Sequence, residues 1–130
     1  MRFLGKKEEV KPVLLEKSEE PSTLEHLCGD DKLLYQELAW SLYLHPKGQG
    51  TYLDGMEKAE GLEREGKKDD SARAYHHAGR LALYEGNVEG ARKAFDKLAE
   101  LSENKFPRIR EVPEKAVTIA REFYAKEHVV

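Results

Sequence analysis

Cysteine is nearly absent. The single Cys28 among 130 residues excludes a disulfide within the chain. Long apolar runs are absent too: none approaches the roughly 18 residues a helix needs to span a bilayer. Residues 1–7 carry too short an apolar segment for a secretory signal, and Gly5 is misplaced for myristoylation. Asparagine and glutamine are scarce, confined to Asn87, Asn104, Gln36 and Gln49. The surplus of Lys and Glu resembles heat-adapted proteins, and it also suits exposed helices. Neither charge sign dominates: 22 Lys and Arg stand against 25 Asp and Glu, a net charge of -3. The bulk field therefore does not draw the chain to nucleic acid or an anionic membrane. Together these absences predict a cytoplasmic protein with no membrane segment.

Chemistry-bearing motifs are missing as well. There is no Gly-x4-Gly-Lys-Ser/Thr and no Gly-x-Gly-x2-Gly to cradle phosphates. His76 and His77 are adjacent, so on a helix they diverge by about 100° and do not share one metal easily. His26 and Cys28 could add ligands, but no second half of a zinc signature accompanies them. Cys28 beside His26 also lacks an orienting third group for nucleophilic catalysis, and Arg73 with His76 is weak evidence for a nuclease. The sequence thus predicts no cofactor, no metal, no catalytic residue and no enzyme.

What is present is helical patterning. Residues 72–101 read as two helices folded back on each other. The first bears small residues at Ala72, Ala74, Ala78, Gly79 and Ala82. The second bears an apolar stripe at Val88, Ala91, Phe95, Leu98 and Leu101. Gly86 and Asn87 turn the chain between them, making the helices antiparallel neighbours. Before them, residues 1–21 mix charges with Pro12 and Pro21 around an apolar knot at Val10, Val13, Leu14 and Leu15, an irregular tail. Ser22 and Glu25 match a capping box that opens a short helix ending at Cys28 and Gly29. Asp30 or Asp31 starts a helix over 31–44, apolar on nearly every side, which suits burial between neighbours or a binding face. Residues 45–50 form a breaker-rich loop, and Thr51 caps a helix over 52–65. Asp69 or Asp70 caps the helix that begins the central hairpin. A loop over 104–112 follows, and Pro113 opens a final helix running to about residue 127.

The central hairpin resembles the tetratricopeptide repeat, a helix-turn-helix unit of 34 residues. With Ala72 as first position, Tyr75, Gly79, Gly86-Asn87, Ala91 and Phe95 fall on the family's preferred residues. Ala78, Ala82 and Leu98 depart from it, and Pro107 comes late for the closing proline. Residues 31–65 resemble a degenerate first repeat, with Tyr35, Leu38, Ala39 and Leu42 in register from Lys32. The resemblance implies an all-α fold over 22–127: antiparallel hairpins stacked as a short right-handed superhelix, with a C-terminal capping helix covering the last face.

It also implies a function. The family's groove-lining positions fall on Arg73, His76, Arg80 and Leu83 in the second repeat, and on Leu33, Gln36, Trp40 and Tyr43 in the first. That groove would join a basic wall to an aromatic one and hold a protein or peptide ligand, acidic groups pairing with Arg73 and Arg80. Affinity for such a ligand would then weaken above the titration range of His76. The alternative is a nucleic-acid accessory role for Lys105, Arg108 and Arg110 around Phe106, which the nearby Glu111 and Glu114 disfavour; a small hydrolase using histidines has no constellation behind it. A short stack also leaves end faces that a second copy could cover.

Overall fold

The computed structural model describes residues 23–127. The expected tail and the Ser22 cap lie outside the described residues. Within them the chain is all-α, without a β-strand. The helices are α1 (Thr23–Cys28), α2 (Lys32–Ser41), α3 (Tyr52–Arg64), α4 (Lys68–Glu85), α5 (Val88–Leu101), α6 (Pro107–Glu111) and α7 (Pro113–Lys126).

Helix α4 is the hub, packing against α2, α3, α5 and α7. Its small residues make this possible. A Cβ built on Gly79 would sit 2.7 Å from the Phe95 ring of α5, so only glycine admits that approach. On the other side, a Cβ on Gly55 of α3 would meet Ala78 at 3.1 Å. The α4–α5 turn is the expected one. Gly86 ends α4 in the left-handed region at φ 78°, where a Cβ is penalised. The Asn87 side chain accepts from the Gly90 N–H at 2.9 Å and caps α5. Thr51 caps α3 through the Asp54 N–H, and Asp31 caps α2 through the Leu34 N–H at 3.1 Å.

Three expectations need correction. Helix α2 does not pair with α3 as the two halves of a repeat; it packs on α1 and α6, and α3 packs on α4. The nine-residue break between Leu42 and Gly50 lets the chain leave α2 and return on the far side of α4. Helix α4 starts at Lys68, with Lys67 at its N-cap and no side-chain cap. Asp69 and Asp70 occupy its first turn, where carboxylates favour the positive helix end. Finally, residues 107–111 are helical rather than loop, because Pro107 is preset for a first helical position.

Candidate binding groove

A groove of about 850 Å³ opens between α2, α4 and the turn after α5. Helix α2 contributes Gln36, Glu37 and Trp40, and α4 contributes Ala72, Arg73 and His76 with Asp69 at its start. Leu98, Ser102, Lys105 and Phe106 close the remaining side. The apolar pattern of α2 explains its double duty. Leu34 and Leu38 are fully buried, whereas Trp40 is 75% exposed and Leu33 48% exposed on the opposite face.

The floor is aromatic. The His76 ring stacks on Phe106 with centroids 4.7 Å apart and meets Phe95 edge-on at 5.8 Å. Its Nε2 shares a 3.1 Å hydrogen bond with the Ser41 hydroxyl. Burial, then the nearby Arg80, Lys105 and His77, push its pKa down to about 4. His76 is therefore neutral at physiological pH, and the expected loss of acidic-ligand affinity above its titration range does not apply. Ser41 is fully buried and does not line the groove, so the Ser41–His76 pair offers no accessible nucleophile.

The turn that carries Phe106 is unusual. Glu103, Asn104 and Phe106 all have positive φ, at 47°, 54° and 57°, a region a bulky side chain rarely adopts. Glu37 holds the turn in place. Its buried carboxylate accepts from the Arg108 N–H at 3.0 Å and the Ile109 N–H at 2.7 Å, capping α6 from a helix 72 residues earlier. Sequence inspection missed Glu37; the available signal was a lone carboxylate inside an otherwise apolar helix.

Four of the expected groove residues, Gln36, Trp40, Arg73 and His76, do converge here. Three do not. Leu83 is fully buried and lines nothing. Arg80 lies over the Tyr43 ring, 3.6 Å from its centroid, and its Nε donates to the Ser41 carbonyl at 2.9 Å. Tyr43 is bound into the same cluster through a 2.5 Å hydrogen bond to His77 Nδ1. Because the Gln49 carbonyl can only accept, His77 Nε2 carries the proton at 3.1 Å from it, and Nδ1 accepts from Tyr43. These residues anchor the 42–50 connection to α4.

The basic patch is also smaller than expected. Arg108 is held by Asp31 at 2.9 Å and Glu111 at 2.6 Å, and Arg110 by Asp96 at 3.1 Å. Of the three cations only Lys105 has no ion-pair partner among the described residues, and it stands on the groove. Among the described residues no group of three His, Cys, Asp or Glu side chains could hold a metal, and no helix is long and apolar enough to cross a membrane.

No protein-family model, curated protein or solved structure matches the chain. Its function must therefore be drawn from the chemistry of this groove.

Proposed function

We propose that the chain is a non-catalytic binding module that takes a segment of another protein in the groove between α2 and α4, with the α4–α5 hairpin as its one tetratricopeptide-like unit. The observation that carries this is Trp40. A side chain of this size offers roughly 150–250 Å² of contact area, yet it stands three-quarters exposed on the groove wall. Tryptophan and arginine are the residues most enriched at binding hot spots, and Arg73 lies in the opposite wall. The groove is concave and aromatic-floored with polar groups at its rim, as recognition sites tend to be. A nucleic-acid role has less support, since Arg108 and Arg110 already serve acidic partners within the fold and few cations remain to neutralise phosphate.

Affinity capture with the wild-type chain and with a Trp40→Ala, Arg73→Ala variant tests this. Both residues are exposed, so the variant should keep its circular dichroism spectrum. A protein retained by the wild type should be lost from the variant; equal retention would sink the groove assignment.

A further inference from the structure

We propose that the groove selects an acidic segment bearing large apolar side chains, with a carboxylate placed between Arg73 and Lys105 and an apolar side chain packed against Trp40. This rests on the binding role proposed above and adds the chemistry of the partner.

The charge balance of the groove supports it. Of its two carboxylates, Glu37 is buried with both oxygens engaged by α6 amides. Asp69 is exposed in the first turn of α4, where the helix end offsets its charge. The cations are freer. Arg73 pairs only with Asp70 on the surface, an interaction weak enough for a partner carboxylate to displace. Lys105 has no ion pair among the described residues. His76 reports the resulting field: after burial, Arg80 and Lys105 are the groups that most oppose its protonation. A lysine-rich segment would meet these cations unfavourably, and like-charge contact across an interface is costly.

The apolar half of the partner follows from α2. Leu33, Gln36 and Trp40 fall at i, i+3 and i+7, on one face of the helix. Leu33 and Trp40 are its exposed apolar members, separated by about 10 Å along the axis at 1.5 Å per residue. A partner with two apolar side chains at that spacing would cover both.

The chain has one tryptophan, so its emission reports the groove directly. Random dodecapeptides lacking tryptophan, displayed as a library, would be selected on the full chain, and the recovered sequences synthesised and titrated against Trp40 fluorescence. Recovered peptides should be rich in Asp or Glu next to Leu, Ile or Phe, and an Arg73→Glu, Lys105→Glu variant should bind them at least tenfold more weakly. Apolar peptides without acid, indifferent to the charge reversal, would overturn the acidic partner and leave the groove intact. Lysine-rich peptides would also overturn it. If no peptide shifts Trp40 emission, both proposals fall. A single-stranded oligonucleotide that does so in a salt-dependent way would reassign the groove to nucleic acid, and a Trp40 signal that changes only with protein concentration would reassign it to a second copy.

Discussion

His76 shows how much one side chain can depend on its surroundings. A histidine on a helix face invites a charged role, yet this one is stacked between aromatic rings and ringed by cations. Its folded pKa of about 4 lies below the ordinary value of 6.5. The unfolded chain therefore binds a proton between these values that the folded chain refuses. The resulting stability is fully present above about pH 6.5 and is lost as pH falls toward 4, a change on the order of 3 kcal/mol. Denaturant titrations from pH 4 to 7 should reveal this slope, and His76→Gln should flatten it; an unchanged slope would refute the assignment. Local helical periodicity accounts for the meeting of His76, Arg73, Gln36 and Trp40 at one groove, although α2 and α3 do not form the repeat that implied Gln36 and Trp40. The repeat pattern misplaced Leu83, Arg80 and Tyr43 because their surroundings come from elsewhere in the chain: Tyr124 of α7 donates to the Tyr43 carbonyl at 3.0 Å, and α7 packs along α4.

At the scale of elements, α6 is the part the sequence concealed. Its proline start was visible in Pro107, but its cap is Glu37, on another helix. Glu37→Ala would leave the Arg108 and Ile109 amides without their acceptors, and each unsatisfied buried group costs about 1–3 kcal/mol. We expect a loss of roughly 2–4 kcal/mol in global stability and faster hydrogen exchange at those two amides. Normal exchange there would show that Glu37 is dispensable to the turn. Trp40 emission should respond as well, since the turn carries Phe106 into the groove. The turn of the α4–α5 hairpin, in contrast, was legible, because glycine, asparagine and the apolar stripe act within a few residues of one another, whereas the start of α4 was not: it has no side-chain cap to read.

Across the whole molecule, Asp31 joins three elements. It caps α2, accepts from the Arg108 Nε of α6 at 2.9 Å and pairs with Lys115 of α7 at 2.9 Å. The hydrogen bond from Arg108, with help from Lys115 and the Leu34 amide, holds its carboxyl well below the usual carboxylate range. Its contribution is present at neutral pH, above the ordinary carboxylate value, and disappears in acid as the group protonates. Asp31→Asn keeps a capping side chain and removes the charge. It should lower the melting temperature by several degrees at pH 7, with the difference from wild type shrinking below about pH 4; a gap of constant size would exclude the ionic role. These ties span 77 and 84 positions, and those from Glu37 and Tyr43 span up to 81. The α3–α4 and α4–α5 hairpins close over short loops and can assemble early. Helix α2, translated before either hairpin, must wait for α6 and α7. On a ribosome the groove between α2 and α4 is thus finished only after α6 and α7 have emerged, and a nascent chain stalled before residue 107 would display folded hairpins with that groove still unformed.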